Sequence, residues 1–120
     1  MISGVVTEDG VPLIVLRLAG DDWVAVIDTG FNGALELPNP LKERLDVISL
    51  GLVRSELAAG VVIGEEAFLV QIEFDGDEVE TYATFADVEH VLVGTRLLAK
   101  HRLEIAFRRE SVRLTRSESD

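Results

Sequence analysis

The chain has 120 residues, 13.1 kDa, with 48% hydrophobic and 28% charged positions, so it can bury one core and has little room for a second domain. Eleven Lys and Arg against 22 Asp and Glu give a net charge of -11, which repels phosphate backbones and argues against a nucleic-acid partner. Cysteine is absent and only His90 and His101 represent histidine, which excludes disulfides, thiolate chemistry and a Cys- or His-rich metal cage.

Period-2 alternation and β-branched residues dominate, predicting an all-β domain. Ile2–Thr7 and Pro12–Ala19 read as strands around an Asp9-Gly10 turn, and Gly20-Asp21-Asp22 as the next turn. Trp23–Ile27 (WVAVI) is a near-continuous apolar run, as expected of a strand buried on both faces, with Trp23 in the core. It ends in Asp28-Thr29-Gly30, followed by a Phe31-Asn32-Gly33 loop and a short strand Ala34–Leu37. Asn39 and Pro40 supply the cap and first residue of a short helix, about Pro40–Leu45. Extended stretches Val47–Leu57 and Val61–Phe74 flank Ala58-Ala59-Gly60, and Gly64 is placed to bend or bulge the second. Asp75-Gly76 is a hairpin signal leading to Val79–Phe85. Glu65-Glu66 and Asp75, Asp77 and Glu78 read as solvated hairpin ends, because they lack the alternating ligand spacing of a calcium loop. His90, beside Glu89, reads as a loop histidine.

Val91-Leu92-Val93 is a short strand ending at Gly94, and Thr95–Lys100 one or two helical turns with Thr95 as cap. Arg102–Phe107 and Ser111–Thr115 are the last strands, so the domain is expected to span 1–115 with a disordered tail at 116–120. No apolar run reaches the ~20 residues of a membrane helix, and no basic-then-apolar signal opens the chain, so a soluble cytoplasmic protein without a membrane partner is expected. Charge is uneven along it: residues 96–120 hold seven basic and four acidic residues (+3), residues 1–95 four basic and eighteen acidic (-14). The basic end reads as a solvated strand and tail, or as a segment that meets the acidic body within the chain or across a dimer.

The chemically informative residue is Asp28. Aspartate is a poor strand former, and an apolar strand that delivers it into the interior imposes a desolvation cost of several kcal/mol unless the carboxylate is paired or hydrogen-bonded. Thr29 brings a hydroxyl that donates and accepts, and Gly30 lets backbone approach closely. The tripeptide alone is weak, since chance places it in roughly a few per cent of chains this long, and taken by itself it is better explained by an Asp-initiated turn.

Its surroundings carry more. With Asp28-Thr29-Gly30-Phe31, a following FNGALELP stretch, and Leu92-Val93-Gly94-Thr95-Arg96-Leu97-Leu98 about sixty residues on, the chain resembles the retropepsin-like aspartic proteases, specifically small prokaryotic members with a D-T-G-F motif. The resemblance covers nearly the whole chain. It implies a retropepsin-like closed β-barrel or sandwich with a flap hairpin, one or two short helices and a two-fold homodimer. It implies Asp28 as catalytic residue, Thr29 locking two loops across the axis, Gly30 offering its carbonyl to substrate, and Leu92, Val93 and Gly94 as the second signature. Arg54–Ile63 occupies the place of the flap, with Ala58, Ala59 and Gly60 at its tip. A polypeptide substrate would lie extended in the cleft and water would attack the scissile carbonyl directly, so neither cofactor nor metal is implied. Apolar Phe31, Leu57, Val61, Val62 and Leu92 imply hydrophobic residues beside the cut. Two positions depart from the pattern: Arg96 stands where many relatives have Asp or Asn, and Ala59 where relatives often place a polar residue.

The chemistry needs two carboxylates sharing a proton, and one Asp-Thr-Gly in 120 residues supplies half of that, which demands a homodimer. The alternatives are a catalytically inactive dimerisation or peptide-binding module of the same fold, or an unrelated β-barrel in which Asp28 only makes a turn. A pair of chains would carry a formal charge of -22, which mild acid reduces. Dimerisation is therefore expected to be tighter near pH 5 than near pH 8, and sedimentation across that range would reveal the opposite trend if charge repulsion does not oppose assembly.

Overall fold

The computed structural model describes residues 1–56, 58–60 and 62–117, and for residues 55, 56, 58, 62 and 63 the backbone only. Ten strands follow one another: β1 (Ile2–Val6), β2 (Pro12–Leu18), β3 (Asp21–Ile27), β4 (Leu35–Pro38), β5 (Val47–Glu56), β6 (Val62–Phe74), β7 (Asp77–Ala86), β8 (Val91–Val93), β9 (His101–Ala106) and β10 (Ser111–Arg116). Among the described residues no helix is long and apolar enough to cross a membrane.

The strands hydrogen-bond in the order β5-β6-β7-β4-β8-β3-β2-β1-β10-β9. The expected closed barrel is thus not formed: among the described residues β5 pairs with β6 alone and β9 with β10 alone, which leaves the ladder open at both ends. The sheet instead folds over one core, in which Ile14, Leu16 and Leu18 of β2, Leu35 and Leu37 of β4, Val70 and Ile72 of β6 and Val112 and Leu114 of β10 are buried. Burial of side chains of this size contributes about 1.5–3 kcal/mol each. β2 alternates buried Ile14, Leu16 and Leu18 with exposed Val15 and Arg17, the period of two set by strand geometry.

Several local expectations are corrected. The apolar run in β3 is not buried on both faces: Ala25 and Ile27 point into the core, whereas Val24 is exposed. Trp23 packs partly buried against the core, as its size favours. Asp21 and Asp22 open β3, and the turn before them is Ala19-Gly20 with φ 53° and 87°, the left-handed pair of a type I′ hairpin turn. The short helix is a 3₁₀ turn, Asn39–Glu43, with Pro38 rather than Asn39 at its cap and both Arg44 and Leu45 amides donating to the Leu41 carbonyl. The irregularity in the long hairpin lies on β5 between Ser49 and Gly51, while Gly64 pairs regularly with Arg54. Thr95–Lys100 forms turns and no helix, the six residues between Gly94 and β9 being too few to repay helix nucleation, and the Thr95 and Arg96 amides donate to the carbonyls of Phe31 and Gly33. Arg116 belongs to β10 and pairs with His101, one residue beyond the expected strand end; residues 118–120 of the expected tail lie outside the described residues.

The first and last strands, β1 and β10, pair antiparallel within the chain, with Ile2 opposite Leu114. A second tie closes the far end of the β6–β7 hairpin. Asp75, in a left-handed turn with Gly76 (φ 51° and 84°), accepts from the Met1 ammonium at 2.6 Å and contacts His101 Nε2 at 3.1 Å. The Asp75 and His101 side chains are only 7% and 6% exposed, and the Phe74 ring meets the His101 ring edge-on at 5.2 Å. Nearby Arg116 pairs with Asp77, a contact between the basic end and the acidic body within one chain. Asp75 and Asp77 thus hold cations of the chain itself, as parts of a folded hairpin end.

The hydrogen bond from the Met1 ammonium, together with that from His101, holds the Asp75 carboxyl below the usual carboxylate range. A carboxylate with a lowered folded value stabilises the fold above its ordinary titration near 3.8 and loses that contribution as pH falls through the lowered value. Asp75→Asn is expected to destabilise by about 2 kcal/mol at pH 7, the scale of a charge-assisted hydrogen bond, with the gap to wild type closing in urea unfolding as pH falls through the lowered value.

Candidate active site

Asp28 follows the last residue of β3, and its position is fixed by two neighbours in the sheet. β8 lies between β3, to which it runs parallel, and β4, to which it runs antiparallel. The Asp28 amide continues the β3 ladder by donating to the Val93 carbonyl at 2.9 Å. Beyond it the chain turns sharply: the Gly30 amide donates to Asp28 Oδ1 at 2.9 Å and the Phe31 amide to the Asp28 carbonyl at 3.1 Å. Asp28 is half-buried and Thr29 and Gly30 are exposed, so the carboxylate lies at the mouth of the loop, not in the interior as the sequence led us to expect. Gly30 N–H satisfies one carboxylate oxygen, which is how the fold accommodates an aspartate after an apolar strand.

The second signature locks the loop from the other side. The Gly94 amide donates to the Ala34 carbonyl at 2.9 Å, the Thr95 amide to Phe31 at 2.9 Å and the Arg96 amide to Gly33 at 3.1 Å. The Thr95 hydroxyl approaches the same Phe31 carbonyl at 3.5 Å, in place of the helix cap expected of it. Gly94 is buried, and a Cβ there would lie 2.6 Å from the Phe31 carbonyl oxygen and closer still to that of Gly33. Only glycine permits this approach. The structure thus brings Asp28, Thr29, Gly30 and Phe31 together with Leu92, Val93 and Gly94, residues separated by about sixty positions in sequence.

The expected flap tip, Ala58–Gly60, is a tight turn at the end of the β5–β6 hairpin, with Ala59 at φ 66° and Gly60 at φ 76°. Among the expected lining residues, Phe31 and Leu92 are half-buried, Val62 is described by backbone alone, and Leu57 and Val61 lie outside the described residues. The sequence did not single out a cavity of about 350 Å³ beside the loop, walled by Phe31, Leu35, Val53, Ala67 and Tyr82, with Arg96 and Glu65 also lining it. One signal for it was available: in β7, Thr81 and Ala83 are the buried positions, so Tyr82 is an aromatic ring in the polar phase of the alternation. His90 is exposed in the bend before β8, as expected of a loop histidine.

No family model matches the chain, and no curated protein matches it in sequence. Solved structures do. A retropepsin-like aspartic protease from Rickettsia conorii superposes with a TM-score of 0.66 at 16% identity, covering 93% of this chain and 87% of its own. The fold is that of the retropepsin-like aspartic proteases. The EIAV protease, solved with the inhibitor HBY-793, gives a TM-score of 0.58 at 15% identity, covering 78% of this chain and 89% of that one. The simian foamy virus protease gives 0.56 at 14%, covering 72% and 91%.

Replacing Gly94 by alanine tests the interlock without touching a polar side chain. The added methyl must displace the Phe31–Gly33 segment, so Gly94→Ala is expected to cost about 1–3 kcal/mol in urea unfolding and to disturb the amide resonances of residues 28–34. An unchanged midpoint and spectrum would mean that the loop is not held by this contact.

Proposed function

We propose that two copies of this chain associate about a two-fold axis at their Asp28 loops and hydrolyse peptide bonds as an aspartic endopeptidase. The observation that supports this most directly is the half-buried Asp28 carboxylate, held at the end of β3 by the Gly30 amide and knitted to the Val93–Arg96 segment, in a fold shared with aspartic proteases. One chain offers one such carboxylate. Two carboxylates brought close cannot both ionise, so one keeps a proton and acts as acid while the other takes a proton from water. That water adds to the scissile carbonyl, the protonated carboxyl donates to the carbonyl oxygen, and the departing amine leaves with a proton returned from the pair.

The roles of the remaining residues follow in this reading. Thr29, exposed beside Asp28, contacts the partner's loop across the axis, and Gly30 presents its carbonyl to an extended polypeptide. Phe31, Leu92, Val93 and Gly94 keep the loop in place, while Ala58, Ala59 and Gly60 at the tip of the long hairpin cover the bound peptide. Neither metal nor cofactor enters the reaction. A second reading, a peptide-binding module of the same fold without catalysis, draws on Arg96 and Ala59, the two positions where the motif pattern changes.

Cleavage of a broad peptide library by wild type and Asp28→Asn across pH separates the two. The enzyme reading expects wild-type cleavage with a bell-shaped pH profile, lowered roughly 10²–10⁴-fold in Asp28→Asn, with dimerisation retained in sedimentation. Equal cleavage by both proteins would place the chemistry elsewhere. Peptide binding with no cleavage by either would favour the module.

A further inference from the structure

The cavity beside the Asp28 loop has an electrostatic polarity that its apolar walls do not require. Its walls are Phe31, Leu35, Val53 and Ala67, and its two charged lining residues are Arg96 and Glu65. The Arg96 guanidinium sits over the Tyr82 ring, 5.4 Å from its centroid. Stacking on an aromatic face restrains the planar group while leaving its N–H edges free to donate. Neither Arg96 nor Glu65 forms an ion pair among the described residues, although acidic residues outnumber basic ones two to one in the chain. An arginine without a carboxylate in so acidic a protein is a free recognition group. Glu65, opposite Val53 in the β5–β6 ladder, repels an anion at its own part of the cavity, so a carboxylate that enters is directed to the Arg96 end.

We propose that this cavity reads an acidic side chain of an extended peptide, with the stem against the apolar wall and the carboxylate accepting hydrogen bonds from Arg96. The proposal rests on the reading of the site as one that binds peptide, and adds its substrate class. The wall residues Phe31 and Leu35 belong to the segment that leaves Asp28, so a peptide lying along the loop reaches the cavity with a side chain near the bond presented to Asp28. A volume of about 350 Å³ exceeds one glutamate side chain. In an extended peptide residues i and i+2 face the same side, so an apolar side chain two positions from the acid shares the space. The position where the second signature carries arginine thereby becomes the specificity determinant.

The test compares peptides that differ only as Glu or Gln at each position in turn, over a mixed background, in two readouts: cleavage by the wild type and binding to Asp28→Asn by fluorescence anisotropy. The expected result is a preference of about tenfold for Glu over Gln at one position, the scale of a charge-assisted hydrogen bond, weakened by salt. Arg96→Ala removes that preference and Arg96→Glu turns it toward Lys, while both variants keep the wild-type unfolding midpoint because Arg96 is exposed. Glu-dependent binding to Asp28→Asn without any cleavage sustains the proposal and overturns the protease reading. Cleavage with no Glu preference, a preference that survives in Arg96→Ala, or the lack of any Glu-dependent binding overturns the proposal.

Discussion

The buried Gly94, pressed between the carbonyls of Phe31 and Gly33, is the constraint from which the geometry of the site follows. Because no side chain intervenes, two backbone segments approach closely enough to exchange three hydrogen bonds, from Gly94, Thr95 and Arg96 to Ala34, Phe31 and Gly33. Each is modest on its own, on the order of 1 kcal/mol net. Their joint effect is positional. They fix the segment that follows Asp28 while the β3–β8 ladder fixes the strand that precedes it, so the carboxylate is restrained from both sides. The local turn then satisfies one carboxylate oxygen through the Gly30 amide. A side chain held in this way is pre-organised by backbone, the least adjustable part of a protein.

Thr95–Lys100 departs from its helical signals because six residues between Gly94 and β9 are too few to repay helix nucleation. A threonine followed by Arg, Leu, Leu, Ala and Lys has the composition of a capped helical turn. Two of the amides that a helix would leave unpaired at its first turn are already committed to the Asp28 loop. Leu97 and Leu98 enter the core from a series of turns.

Strand positions were legible in the sequence wherever one face is buried, because alternation and turn chemistry are local: β2 follows its apolar period, and Asp75-Gly76 turns as its residue types demand. The conjunction of Asp28-Thr29-Gly30 with Leu92-Val93-Gly94 was legible as a pair of motifs. What the sequence could not carry was pairing between distant segments. Whether the ladder closes depends on the edges of β5 and β9, and whether Val24 is covered depends on what lies over that face of the sheet. Nor does any local signal place the Tyr82 ring under Arg96, since the two meet only after β4 has passed between β7 and β8. The Asp75 tie to His101 escaped for the same reason: it joins a hairpin turn to a strand 26 residues away.

The pairing of β1 with β10 has a consequence for how such a chain would work in pairs. Because β1 and β10 satisfy each other's ladder within a single molecule, that part of the sheet needs no second copy to complete it, and the chain would fold in a first-order step. The proposed association at the Asp28 loops would be second-order. In an enzyme of this kind, stability would be set by the chain alone and activity by its concentration, so dilution would silence the protein without unfolding it. Expression level would then act as the regulator, with a steep response in the range of the dimer dissociation constant.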